Sequence, residues 1–77
     1  MQVKVLFFGV LSEVAGTDCR FYRDIRSINE LKLRISDEFP EMPHYNYRVS
    51  LNNEIIDSNR TLSDNDEVAF MPPFAGG

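Results

Sequence analysis

The stretch SINELKLRISDEFP, Ser27 to Pro40, decides how the rest of the chain must fold. Ser27 followed three residues later by Glu30 is a capping box, in which the serine oxygen and the glutamate satisfy amides that a helix N-terminus leaves free. Ile28, Leu31, Ile35 and Phe39 then recur at helical spacing and form one apolar stripe. Lys32, Arg34 and Glu38 lie off that stripe, and Glu30 stands in the favourable i,i+4 order with Arg34. Pro40 stops the helix, because the residue before a proline resists the helical conformation. The spacing predicts a single amphipathic helix with one face to bury.

Working outward, both flanks read as strands. Met1 to Phe8 alternates, with Val3, Val5 and Phe7 on one face and Lys4, Leu6 and Phe8 on the other. LSEVAGT, Leu11 to Thr17, suits a short helical turn stopped by Gly16. Asp18 to Arg23 is a second, aromatic-rich strand, reached without a long crossover and so antiparallel to the first. After the helix, Tyr47 to Leu51 alternates with Tyr47, Val49 and Leu51 on one face, Asn52-Asn53 turns, and Glu54 to Ile56 is a short strand. Asp57 to Ser63 reads as a polar connection, Asp64 to Asp66 as a turn, and Glu67 to Met71 as the last strand.

One main helix can cover only one face of one sheet. Its position between strands two and three permits a crossover that lays the first and last strands side by side in parallel. The expected fold is α+β: a β-grasp, ubiquitin-like domain with a single mixed sheet and one main helix packed on one face. Residues 1–71 make the domain, and 72–77 a flexible Pro-Pro-x-x-Gly-Gly tail.

Composition agrees with one small folded unit. The chain has 77 residues, of which 43% are hydrophobic and 26% charged. A domain this size buries only about 60% of its unfolded surface, so a partner would help to stabilise it. The net charge of −4 and the lack of a basic cluster argue against nucleic acid and anionic membranes. A partner with a basic rim would be steered towards it. No apolar run approaches the ~20 residues of a membrane span. Val5 to Leu11 after Lys4 has a loose likeness to a short secretory signal, but it serves better as the first strand and its turn. The single cysteine, Cys19, has no partner for an internal disulfide, which fits a reducing cytoplasm.

The uncovered face carries the first functional expectation. If Val3, Val5, Phe7, Val68 and Phe70 face the helix, then Leu6, Phe8, Ala69 and Met71 face outward, and an apolar patch of Leu6, Phe8 and Met71 marks a docking site. The tail carries the second. Pro72 and Pro73 lack amide hydrogens, so the sheet ladder ends there and an extended spacer begins. Phe74 can anchor in a partner's pocket. Ala75, Gly76 and Gly77 diminish in size, so the last two can enter a narrow channel and deliver the carboxylate of Gly77. Activated as an acyl-adenylate, that carboxylate can accept sulfur or an amine, with every catalytic group supplied by the partner.

These residues resemble a known family. VKVLFFG (Val3 to Gly9), LSEVAGT (Leu11 to Thr17) and LSDNDEVAFMPPFAGG (Leu62 to Gly77) are similar to the small subunit of molybdopterin synthase, a sulfur carrier akin to the thiamine-pathway carrier and to ubiquitin. The likeness runs over the whole chain, and its specificity lies at the two ends. The resemblance implies that an adenylating enzyme of the ubiquitin-activating type uses ATP on Gly77. A sulfur donor protein then yields a terminal thiocarboxylate. The tail inserts into the large synthase subunit of a heterotetramer, and sulfur passes to cyclic pyranopterin monophosphate to build the molybdopterin dithiolene. On this reading the chain binds no cofactor and is a non-catalytic, sulfur-donating subunit. Gly76 and Gly77 are the reactive end, and Leu6, Phe8, Met71, Pro72, Pro73, Phe74 and Ala75 are the partner interface. Asn65 stands where the family often has glycine, and Phe74-Ala75 replaces a small or β-branched pair.

A ubiquitin-like modifier joined through Gly77 to lysines, a thiamine-pathway carrier, and a binding module with an inert tail remain the alternatives. Other residues carry less. His44 has no ligand cluster at metal spacing. Cys19 has no activating base nearby in sequence and reads as a small packed residue. Asp64, Asp66 and Glu67 are too few and too close for a calcium loop. Phe21, Tyr45 and Tyr47 fit strand packing better than base stacking.

Overall fold

The computed structural model describes residues 1–73 and lays them out as β1 (Gln2–Phe7), α1 (Val10–Ala15), β2 (Cys19–Arg23), α2 (Ile28–Glu38), a single 3-10 turn (Met42–His44), β3 (Arg48–Leu51), β4 (Glu54–Ile56) and β5 (Glu67–Met71). The expectations for Phe74, Ala75, Gly76 and Gly77 lie outside the described residues.

Helix α2 forms where its cap places it. The Ser27 hydroxyl accepts from the Glu30 amide at 3.2 Å, and Phe39, at φ −126°, ends the helix one residue before Pro40. Ile28, Leu31 and Ile35 are buried, and Phe39 packs against the core from its rim. The expected Glu30–Arg34 pair is not among the ion pairs of the described residues. Both side chains are exposed, where such a pair contributes little.

The sheet has the order β2-β1-β5-β3-β4. β1 pairs antiparallel with β2 and parallel with β5, which pairs antiparallel with β3, and β3 with β4. The crossover through α2 thus places the first and last strands together, and the fold is the β-grasp. A two-residue hairpin with a type I′ turn needs positive φ at both central positions. Asn52 and Asn53 supply it, at 50° and 71°. Asn65 takes the same conformation in the turn before β5, at 68°.

The core lies between α2 and one face of the sheet. Val3, Val5, Phe7, Tyr22, Val49, Ile56, Val68 and Phe70 meet the helix residues there. Three core residues lie outside the strands and α-helices. Ile25, Met42 and Leu62 are all buried, although the segment around Leu62 reads as a polar connection. It is instead a rung beside the helix cap. Ile28 donates to the Arg60 carbonyl and Leu62 to the Arg26 carbonyl, at 2.9 and 2.8 Å.

The last turn of α2 is tied to the edge strand β2. Both the Tyr22 hydroxyl and the Arg20 guanidinium donate to the Glu38 carboxylate, and Arg20 also lies over the Phe39 ring. Burial, then the hydrogen bond to Glu38 and its negative charge, hold the Tyr22 phenol well above its ordinary value of 10.0. Removing the carboxylate leaves a buried hydroxyl unpaired. Glu38→Ala is therefore expected to cost about 1–2 kcal/mol, read as a lower midpoint in thermal or urea unfolding. Because folding favours the neutral phenol, its contribution is complete below pH 10.0 and is lost as pH rises further. A stability-versus-pH curve rising above that value would contradict the assignment.

Candidate functional site: the open sheet face and the root of the tail

The face of the sheet turned away from α2 has no covering element among the described residues. Its composition follows from strand parity. A transverse row runs Cys19, Leu6, Ala69, Ser50, Ile55 across all five strands, each opposite the next in register. Phe8, just past the end of β1, and Met71, the last residue of β5, lie one step further towards the tail. At the other end Lys4 is opposite Glu67, with Nζ to Oε2 at 4.0 Å.

This places the expected patch. Phe8 is 47% exposed, and Leu6 and Met71 are half-buried. The patch is wider than the sequence indicates. Phe21 on β2 and Ile55 on β4, expected to pack within their strands or left unassigned, are 58% and 54% exposed. They extend the apolar surface to both edges of the sheet. In the middle, Ala69 and Ser50 are buried, because their short side chains lie between larger neighbours. The face thus has exposed apolar side chains at its edges and short buried ones between them, the form of a docking surface. Cys19 is half-buried and belongs to this face rather than to the core.

The tail leaves from the same end. The Phe8 amide donates to the Phe70 carbonyl at 3.0 Å, which carries the β1–β5 ladder to its last rung. Gly9 follows at φ 58°, ψ −137°, a conformation open essentially to glycine alone. A Cβ on Gly9 would come 2.9 Å from Cγ of Pro72, so the first proline of the spacer lies directly on the glycine. Pro72 is half-buried and Pro73 exposed. Leu6, Phe8, Met71, Pro72 and Pro73 are thus brought to one end of one face.

The remaining acidic and aromatic residues have structural uses. The Asp66 carboxylate accepts from the Ser63 amide at 2.7 Å and from the Asn52 side chain at 3.0 Å, and Asp64 accepts from the Gln2 amide at 2.8 Å. These carboxylates hold the turn that feeds β5. Among the described residues no cluster of three or more metal-binding side chains occurs, and no helix is long and apolar enough to cross a membrane. Tyr47 stands edge-on to Phe70 at 5.1 Å, and His44 is exposed in the 3-10 turn.

An aspartate at position 8 tests the face assignment. Phe8→Asp is expected to leave the isolated domain folded, because the side chain is half in solvent, and to weaken docking by about 2–3 kcal/mol through a buried unpaired charge. That is a loss of affinity of roughly thirty- to 150-fold. Unfolding of the variant, seen by circular dichroism, would show that Phe8 belongs to the core.

Known proteins resemble this chain over its whole length. Residues 5–77 match the model of the ThiS family. A curated relative, the molybdopterin synthase sulfur carrier subunit of Escherichia coli (strain K12), is 29% identical over 81 residues, covering 99% of this chain and all of the relative. In a solved complex of subunits 1 and 2 of the molybdopterin-converting factor from Helicobacter pylori 26695, one chain is 28% identical, with full coverage of both chains and a TM-score of 0.75. The small archaeal modifier protein 1 of Methanosarcina acetivorans superposes with a TM-score of 0.84 over 99% of this chain and 96% of its own, at 23% identity, a likeness of fold alone. A family match that starts in β1 and runs on through the open-face strands and the Pro-Pro-x-x-Gly-Gly segment spans the features assembled above, and the chain belongs to the ThiS family.

Proposed function

We propose that this chain is the sulfur-carrier subunit of a molybdopterin synthase. The observation that carries the reading is the continuity of an uncovered apolar sheet face with the root of a Pro-Pro-x-x-Gly-Gly segment, so that docking the face aims the segment into the partner. The full-length likeness to the Escherichia coli sulfur carrier supports the choice of pathway.

In the proposed cycle the Gly77 carboxylate attacks the α-phosphate of ATP on an adenylating enzyme, and pyrophosphate leaves. Sulfur from a donor protein displaces AMP from the acyl-adenylate and gives the thiocarboxylate. The chain then docks on the large synthase subunit. There the sulfur is transferred to cyclic pyranopterin monophosphate, and hydrolysis restores the carboxylate. The chain contributes the reacting carbon, its positioning and the docking surface, while acid–base groups belong to the partners.

Incubation with ATP, the adenylating enzyme and a sulfur donor should raise the intact mass by the exchange of one oxygen for sulfur. An unchanged mass would defeat the proposal. Conjugates that survive boiling and reductant in cell extract would point instead to a modifier joined to lysines through Gly77.

A further inference from the structure

We propose that Arg48 is the orienting charge of the docking face, pairing with a carboxylate of the partner that receives the tail. The inference rests on the proposed function and names a contact that it leaves open. Arg48 opens β3 and stands opposite Met71, the residue before Pro72. It shares the outward parity of Ser50, is exposed, and is the charged residue of the open face nearest by register to where the tail departs. The ion pairs among the described residues are Lys4–Glu67, Arg20–Glu38 and Arg60–Glu54. Arg48 has none. Lys4, a second cation of this face, is next to Glu67 at the far end of the β1–β5 pair.

A free guanidinium beside an apolar face is costly to cover unless the covering surface offers it an anion. Its planar fork matches a carboxylate in two-point geometry, which fixes direction as well as distance. Within the chain, Asp57 is the next residue across from Arg48 when the β3–β4 register is extended by one step, but the two form no ion pair among the described residues. Outside it two anions are conceivable: a partner side chain, or the phosphate of the adenylate on Gly77. Length decides between them. Six residues separate Met71 from the reacting carbon, a reach of up to ~20 Å when extended, well beyond an arginine side chain rooted opposite Met71. The carboxylate therefore lies on the partner's docking surface, beside the mouth that admits the tail. On a chain of net charge −4, one positive point at this place sets the rotational register of the complex and disfavours surfaces that are uniformly basic.

The test uses the full chain and the purified large subunit without ATP. Arg48→Ala, Arg48→Glu and Arg48→Lys are titrated beside the unaltered protein at low and high salt. The charge reversal is expected to weaken binding roughly tenfold or more at low salt. The deficit should shrink as salt screens the repulsion, and Arg48→Lys should recover part of the loss. The melting temperature of the free variants should stay within a few degrees, as for other exposed positions. Binding of Arg48→Glu within about twofold of the unaltered protein at low salt overturns the inference. So does a loss seen only in a parallel incubation with ATP, the adenylating enzyme and a sulfur donor, which would assign Arg48 to the adenylating partner's chemistry. If the unaltered chain itself fails to bind the large subunit, the proposed function fails first, and the salt series on Arg48 is not what decides it.

Discussion

Extending the chain by a single alanine after Gly77 is expected to abolish sulfur loading while leaving the protein folded and able to dock. The reacting carbon would then belong to the added residue. Its Cβ would meet the narrow passage that Gly76 and Gly77 are suited to enter, and the carboxylate would be displaced by one residue, about 3.3–3.6 Å. Adenylation requires near-contact geometry between the carboxylate and the α-phosphate, and a displacement of this size costs far more than the hundredfold expected of a 1 Å error. On the proposed reading, docking depends on Leu6, Phe8, Met71 and the flanking shoulders of the sheet, which the extension does not touch. The check is paired. Intact mass after incubation with ATP, adenylating enzyme and sulfur donor should show no oxygen-to-sulfur exchange. Titration against the large subunit should give an affinity near that of the unaltered chain. Efficient loading of the extended protein would show that the reactive group is elsewhere.

The second large effect concerns the scaffold. Phe70 is fully buried on β5 and lies at the centre of an aromatic chain. It stacks on Phe7 at 5.8 Å, Tyr47 meets it edge-on at 5.1 Å, and Phe7 in turn meets Phe39 at 6.1 Å. The chain joins β1, β5, the approach to β3 and the end of α2. Phe70→Ala removes the middle of that stack and is expected to cost about 3–5 kcal/mol. A domain of this length has a total stability on the order of 4–12 kcal/mol, so the variant should be partly or wholly unfolded at ambient temperature. Phe70→Leu, which keeps most of the volume, should lose under about 1.5 kcal/mol and remain measurable. At ~4–8 °C per kcal/mol for a domain of this size, the two variants should separate by about six degrees or more in thermal melting. Equal melting points would mean that Phe70 is not the keystone of the core. The same substitution should also disturb the tail root, because the Phe70 carbonyl holds the last rung to Phe8.

Much of this was legible before any coordinates. The alternation in β1 and β5 assigns Val3, Val5, Phe7, Val68 and Phe70 inward, and all five are buried. The serine cap, the apolar stripe and Pro40 bound α2 to within a residue. The asparagines at 52, 53 and 65 announce their turns, since asparagine tolerates positive φ. What stayed hidden has a common cause. Ile25, Met42 and Leu62 are single apolar residues in polar segments, with no period to betray them. Glu38 looks like a solvent-facing helix residue. Its use as the acceptor for Tyr22 and Arg20 depends on how the helix end lies against an edge strand. The exposure of Phe21 and Ile55 likewise depends on which strands flank the sheet.

By itself, the order of residues settled the strands and the α-helices, the inward sets of β1 and β5, and the uncovered face, because alternation and helical spacing are local and a single helix has one stripe to bury. It also marked the Pro-Pro-x-x-Gly-Gly segment as chemically distinct, since proline and glycine act through their own backbones. Only the tertiary arrangement brought Phe8, Gly9, Arg48, Met71 and Pro72 to one corner. They come from three strands and a turn distant in sequence, and strand pairing in register, not any local preference, decides which of them become neighbours.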